Sequence, residues 1–111
     1  MKLTHEMCNQ LFQQADIDTK RWIVNILAEI NSAEEKHPHW PKDIIHQAAI
    51  VAEESGELVQ AALNHAYEDG KYYCIHSEAT QVSAMGIRML KNLPKKNHPY
   101  EEKDNEPKFQ Q

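Results

Sequence analysis

Apolar residues recur at helical spacing along three long stretches of this chain, and only 3 Gly and 5 Pro among 111 residues interrupt them. No run of alternating β-branched residues is bounded by turns, so the pattern predicts helices and no strand. Residues 4–15 place Met7, Leu11 and Phe12 on one side of a short helix. Asp16, Asp18 and Thr19 offer capping chemistry for the next segment. From Lys20 to about Lys36, Trp22, Ile23, Ile26, Leu27, Ile30 and Ala33 keep helical spacing. His37-Pro38-His39-Trp40-Pro41 ends that helix, and Pro41 suits the first turn of the following one.

The second long helix is expected from about Pro41 to Glu68, stopping before Gly70. At about 100° per residue, Ile44, Ala48, Ala49, Val51, Ala52, Leu58, Val59, Ala62 and Leu63 fill one arc. Asp43, His46, Glu53, Glu54, Glu57, Gln60 and Asn64 fill the other. The third runs from about Lys71 to Asn92, with Tyr72, Ile75, Ala79, Val82, Gly86, Met89, Leu90 and Leu93 on its apolar side.

The expected fold is therefore all-α: one helical domain over residues 1–93, then a polar, mobile tail over 94–111 with three Pro and two aromatics, Tyr100 and Phe109. Thin apolar stripes on so few helices make a marginal core. Burial is expected to be completed in a homodimer or homotetramer.

Composition removes several function classes. The formal charge of −5 argues against nucleic-acid binding, which needs a basic surface to replace phosphate counterions. The longest unbroken apolar run, Ala48 to Ala52, is five residues, where a membrane helix needs roughly 18. Glu6 and its polar neighbours do not resemble a secretion signal. Cys8 and Cys74 form neither a disulfide framework nor a zinc pattern, so a cytoplasmic location is expected.

The informative segment is Glu53-Glu54-Ser55-Gly56-Glu57. Its acids are helical neighbours at i,i+3 and i,i+4, where like charges repel. A bland surface helix answers such acids with Lys or Arg one turn away. None occurs between Lys42 and Lys71, whereas Asp43, Glu53, Glu54, Glu57, Glu68 and Asp69 all do. An isolated E-E-x-x-E is most often a solvated face. The third helix changes the weighing, because Glu78 falls inside its apolar arc, between Met85 and Cys74 on one side and Met89 and Val82 on the other. A carboxylate there needs a hydrogen-bond partner, a raised pKa or a cation. Gln81 follows one turn on. Two adjacent helices thus offer oxygen-bearing pairs, Glu54 with Glu57 and Glu78 with Gln81. Oxygen-only ligands suit Mg²⁺, Mn²⁺ or Ca²⁺, and no Glu-x-x-His pair points to di-iron.

This arrangement resembles the all-α nucleoside triphosphate pyrophosphohydrolases, and most of all their small, single-domain MazG-like members. The resemblance covers residues 20–93. It rests on the E-E-x-x-E at Glu53, Glu54 and Glu57, the E-x-x pair starting at Glu78 and the His37-to-Leu58 stretch. It implies a helical bundle completed by oligomerisation. The implied activity cleaves a nucleoside triphosphate to monophosphate and pyrophosphate with Mg²⁺, Mn²⁺ also serving. It makes Glu54, Glu57 and Glu78 metal ligands. Glu53 becomes a further ligand or the catalytic group that orients and deprotonates the attacking water. Four glutamates repel a triphosphate unless divalent cations bridge the two. The family pattern ends in Asp where this chain has Gln81, which coordinates through a carbonyl oxygen but brings no charge. Three readings follow: fewer ions, an acid from elsewhere, or nucleotide binding without hydrolysis. A rival from another class is a helical oligomerisation module with a solvated acidic face.

Arg88, two turns past Gln81, and Lys91 are candidate phosphate contacts, with Lys95 and Lys96 behind them. Ordinary C-terminal helix charge competes with that assignment. Trp40 and Asn25 are candidate base contacts. Trp22 is expected in the core, and Cys74 is expected as a buried, inert thiol. His37, His39, His46, His65 and His76 show no recognised ligand spacing.

Overall fold

Three short polar side chains start the first three helices. Thr4 Oγ1 accepts the Met7 N–H at 3.1 Å and opens α1 (His5–Gln14). Asp16 Oδ1 accepts the Thr19 N–H at 2.7 Å and caps α2 (Ile17–Lys36). Asp43 Oδ2 accepts the His46 N–H at 3.3 Å and starts α3 (Ile44–Tyr67). The fourth helix, α4 (Tyr72–Asn92), begins after Lys71 without a side-chain cap. This computed structural model describes residues 2–95. Among them the fold is all-α, with no strand, and no helix is long and apolar enough to cross a membrane. The tail expected from Pro94 lies, beyond Lys95, outside the described residues.

The helix starts differ from the sequence expectation in one instructive way. Pro41 does not occupy the first turn of α3; Asp43 caps it three residues before His46. The Pro41 carbonyl instead accepts the Gln47 side-chain amide at 2.9 Å. Gln47 is 2% exposed, so a buried amide fastens the connection to the first turn of α3.

The chain divides into two units: residues 2–20 with the described end of the chain, and Arg21–Leu93. In the first, the Lys20 ammonium lies 5.8 Å from the centre of the Phe12 ring. Met7 and Phe12 are half-buried and Leu11 is exposed.

In the second unit, α3 and α4 pack as an antiparallel pair. Ile30, Ala84 and Met85 form the buried apolar centre, with Ile26, Ala33, Trp40, Ile50 and Val51 against it. Trp22 and Leu27, expected on the core side of α2, remain exposed. The face that α3 turns inward shares only Val51 and Leu58 with the expected apolar arc. It runs through Gln47, Ile50, Val51, Glu54, Leu58 and Ala61, all buried or half-buried. Ile44, Ala48, Ala49, Ala52, Val59, Ala62 and Leu63 are exposed.

The turn into α4 explains the glycine there. The Asn64 carbonyl accepts both the Glu68 and the Gly70 N–H at 2.8 Å. The residue in the left-handed region is Asp69, with φ 65°. Gly70 is required for a different reason: a Cβ on it would sit 2.9 Å from the backbone carbonyl carbon and the Cβ of Asn64.

Candidate metal centre between two helices

Helical spacing on α3 places Glu54 and Glu57 on adjacent turns, and the antiparallel α4 brings Glu78 to the same level. One carboxylate oxygen from each of Glu54, Glu57 and Glu78 lies within 4.8 Å of the others. Glu54 and Glu78 are half-buried and Glu57 is exposed. Oε2 of Glu54 and Oε2 of Glu78 are buried and accept no hydrogen bond. Orphaned buried acceptors of this kind are costly.

Their protonation reflects the crowding. Burial raises the Glu54 carboxyl to about 7, assisted by Glu57 and by the charges of Glu78 and Glu53. Glu78 is raised by burial first, then by Glu57. Carboxylates this close do not all ionise without a counter-charge.

The donors fit a hard divalent cation. All are carboxylate oxygens, the chemistry Mg²⁺ and Mn²⁺ prefer. Opposed donors on Mg²⁺ stand about 4.2 Å apart, twice a bond of about 2.1 Å. Oxygens already within 4.8 Å can converge by side-chain rotation. A cation would also satisfy both orphaned oxygens.

The remaining candidates scatter. Glu53 is exposed on α3, beside the three acids but outside their cluster. Gln81 is half-buried one turn beyond Glu78, at the level of Glu54 across the helix pair. Arg88 is 4% exposed; its Nη2 donates to the His37 carbonyl at 2.7 Å and its guanidinium lies 4.8 Å from the Trp40 ring centre. It sits ten residues past Glu78, about 15 Å along the helix. Lys91 pairs with Glu34 at 2.8 Å on an exposed surface. Lys95 is exposed, and Lys96 lies outside the described residues.

Trp40 packs on the buried centre, half-buried. Asn25 lines a cleft of about 520 Å³ whose aromatic residue is Trp22, not Trp40. The two candidate base contacts are therefore not brought together. His76 stands edge-on between Trp22 and Tyr72, with ring centres 5.2 and 5.0 Å away.

A second cleft, of about 320 Å³, opens beside Glu57 and Glu78. Gln60, Asn64, Lys71 and Cys74 line it as well. Sequence reasoning did not assign Lys71 or Cys74 to a site. The signal was available in register: Cys74 on α4 and Lys71 at its N-terminal boundary are one and two turns before Glu78, as Gln60 and Asn64 are one and two turns past Glu57 on α3. Cys74 is half-buried rather than sealed in the core.

No family model, no curated protein and no solved structure matches this chain.

Proposed function

We propose that this chain is a Mg²⁺-dependent nucleoside triphosphate pyrophosphohydrolase of the MazG-like kind, working in the cytoplasm as a homodimer or homotetramer. The reading rests on one observation above the others: three glutamates from two helices converge within 4.8 Å, and two of them keep a buried, unpartnered oxygen. Glu54, Glu57 and Glu78 hold the ion, and the Gln81 carbonyl oxygen adds a neutral ligand. When bound, Mg²⁺, or Mn²⁺ in its place, neutralises phosphate charge and makes a triphosphate compatible with an acidic site. Glu53 is exposed at the rim, where it orients and deprotonates the attacking water. Lys71 lines the adjoining cleft, so it is the cation this reading sets against a phosphate oxygen. Arg88 serves the fold, since its guanidinium already holds the His37 carbonyl and the Trp40 ring. The exposed apolar arc of α3 supports assembly into an oligomer.

The test is turnover. Purified protein is incubated with ribo- and deoxyribonucleoside triphosphates, with Mg²⁺ and then Mn²⁺, and the products are separated. Monophosphate plus pyrophosphate is expected, lost in Glu54→Ala. Diphosphate plus phosphate would overturn the assigned reaction. Metal binding without turnover of any common nucleotide would favour a nucleotide-binding sensor or an unusual substrate.

A further inference from the structure

We infer that the outward face of α3 is a self-complementary docking surface on which a second copy of this chain lies antiparallel. This rests on the assembly part of the function proposed above and goes beyond it by naming the face, the register and the partner. Seven residues step along that face in strict alternation of four and three: Ile45, Ala49, Ala52, Gly56, Val59, Leu63 and Ala66. None carries a polar side chain, and all are exposed, Ile45 at 78%, Val59 at 57% and Leu63 at 47%. This spacing of 3.5 residues per turn is the seam of a helix that packs along another helix. The inward stripe through Gln47, Glu54 and Ala61 occupies the opposite side, so one helix serves both contacts.

Gly56 is an independent pointer. It sits in the middle of α3, where glycine weakens a helix relative to alanine. A Cβ on Gly56 would meet nothing within 4 Å, so nothing in the protomer requires its absence. A glycine there leaves room for another backbone to approach closely.

The occupant follows from size and charge. Place a copy of α3 antiparallel on itself, centred at Gly56. Ile45 then faces Ala66 of the partner, Leu63 faces Ala49 and Val59 faces Ala52. At the centre Gly56 meets its own copy, and each of the three levels on either side joins one large residue to one small one, which suits close packing of facing side chains. Along one flank Glu53 meets the partner's Gln60 and His46 meets Tyr67; along the other Ala48 meets Ala62 and Ser55 meets itself. No acid faces an acid. A parallel copy sets Glu53 beside Glu53 and Leu63 beside Leu63, which loses both forms of complementarity.

Two measurements test this on the full chain. Val59→Glu puts a charge on the seam at a position exposed in the protomer. The wild type is expected at twice the monomer mass or more by light scattering. The variant is expected at half that mass or less, with unchanged helical circular dichroism. In a Cys8→Ser, Cys74→Ser background, a short bismaleimide is expected to cross-link Ser55→Cys to itself and not His46→Cys, whose two copies stand about 30 Å apart along the antiparallel axis. A monomeric wild type overturns both this inference and the assembly it rests on, including the case in which deleting residues 96–111 produces a dimer and so identifies the chain's own end as the occupant. An oligomer whose mass Val59→Glu leaves unchanged, or one that cross-links equally at both positions, overturns this inference alone. Neither readout depends on turnover.

Discussion

Removing one carboxylate from the cluster should stabilise the metal-free protein, by an amount set by pH. The Glu54 carboxyl stands at about 7 in the folded protein against an ordinary 4.5, because it is partly buried beside Glu57, Glu78 and Glu53. Between those two values the folded chain binds more protons than the unfolded chain. Stability therefore falls as pH rises from about 4.5 to about 7 and is level above that. Exposed Glu57 keeps the cluster open to water, so after screening the rise from 4.5 to about 7 is worth about 1.5 kcal/mol. Glu54→Gln keeps the shape and removes the charge.

The assay is thermal unfolding of wild type and Glu54→Gln between pH 5 and pH 8 with chelator present. At pH 5 the two should melt together. At pH 8 the variant should melt higher by about 6 to 12 °C, at about 4 to 8 °C per kcal/mol for a domain of this size. Taking the difference between the proteins cancels titrations they share. Adding Mg²⁺ at pH 8 should raise the wild type and close the gap, because the cation replaces the proton as the counter-charge. A difference independent of pH, or a variant less stable than wild type at pH 8 without metal, would refute the account of Glu54 as a buried charge awaiting a cation.

Glu78→Ala should abolish the Mg²⁺-dependent rise in melting temperature, which for an ion at 100 times its Kd is worth about 2.7 kcal/mol in the wild type; calorimetric titration with Mg²⁺ checks the same loss directly. Arg88→Lys should cost about 2 to 3 kcal/mol in urea unfolding, since lysine lacks the fork that reaches the His37 carbonyl while stacking on Trp40. Lys91→Ala, which breaks only the exposed pair with Glu34, should cost less than about 1 kcal/mol in the same experiment. Gly70→Ala should lose about 1 to 3 kcal/mol, because its Cβ meets Asn64 backbone and Cβ at 2.9 Å; a neutral result would mean that the turn relaxes freely.

Helix number and approximate limits were legible because apolar spacing reports them. Their ends were less so. Pro41 and Gly70 are strong punctuation, yet Asp43 starts α3 and Asp69 takes the left-handed conformation. Short side chains that bond to nearby backbone compete on equal terms with proline and glycine there. The acidic cluster was legible because one helical turn separates Glu54 from Glu57 and the stretch around them holds no Lys or Arg. The environment of Arg88 was not, since its partner is a backbone carbonyl 51 residues away. Trp40 and Asn25 fail to meet for a similar reason: the connection that carries Trp40 folds onto the buried centre, and α2 presents Asn25 beside Trp22.

The orientation of α3 was the least legible feature, and its cause is physical. A helical wheel assumes that the most apolar arc turns inward. In α3 the inward stripe instead contains Gln47, held by the Pro41 carbonyl, and Glu54, held against two other acids. The apolar seam from Ile45 to Ala66 is left outside. A helix that turns Gln47 and Glu54 inward while leaving Ile45, Val59 and Leu63 exposed is unfavourable in an isolated protomer whose described residues hold three buried apolar side chains at the centre. Both deficits lie on this one helix and call for different remedies. A divalent cation would relieve the inner face by neutralising Glu54, Glu57 and Glu78. A second copy would relieve the outer face by covering Val59 and Leu63. Each would bind the folded state and so add stability by mass action without requiring the other. The acids and the seam alternate around a single helix, so a substitution chosen for one face leaves the residues of the other in place.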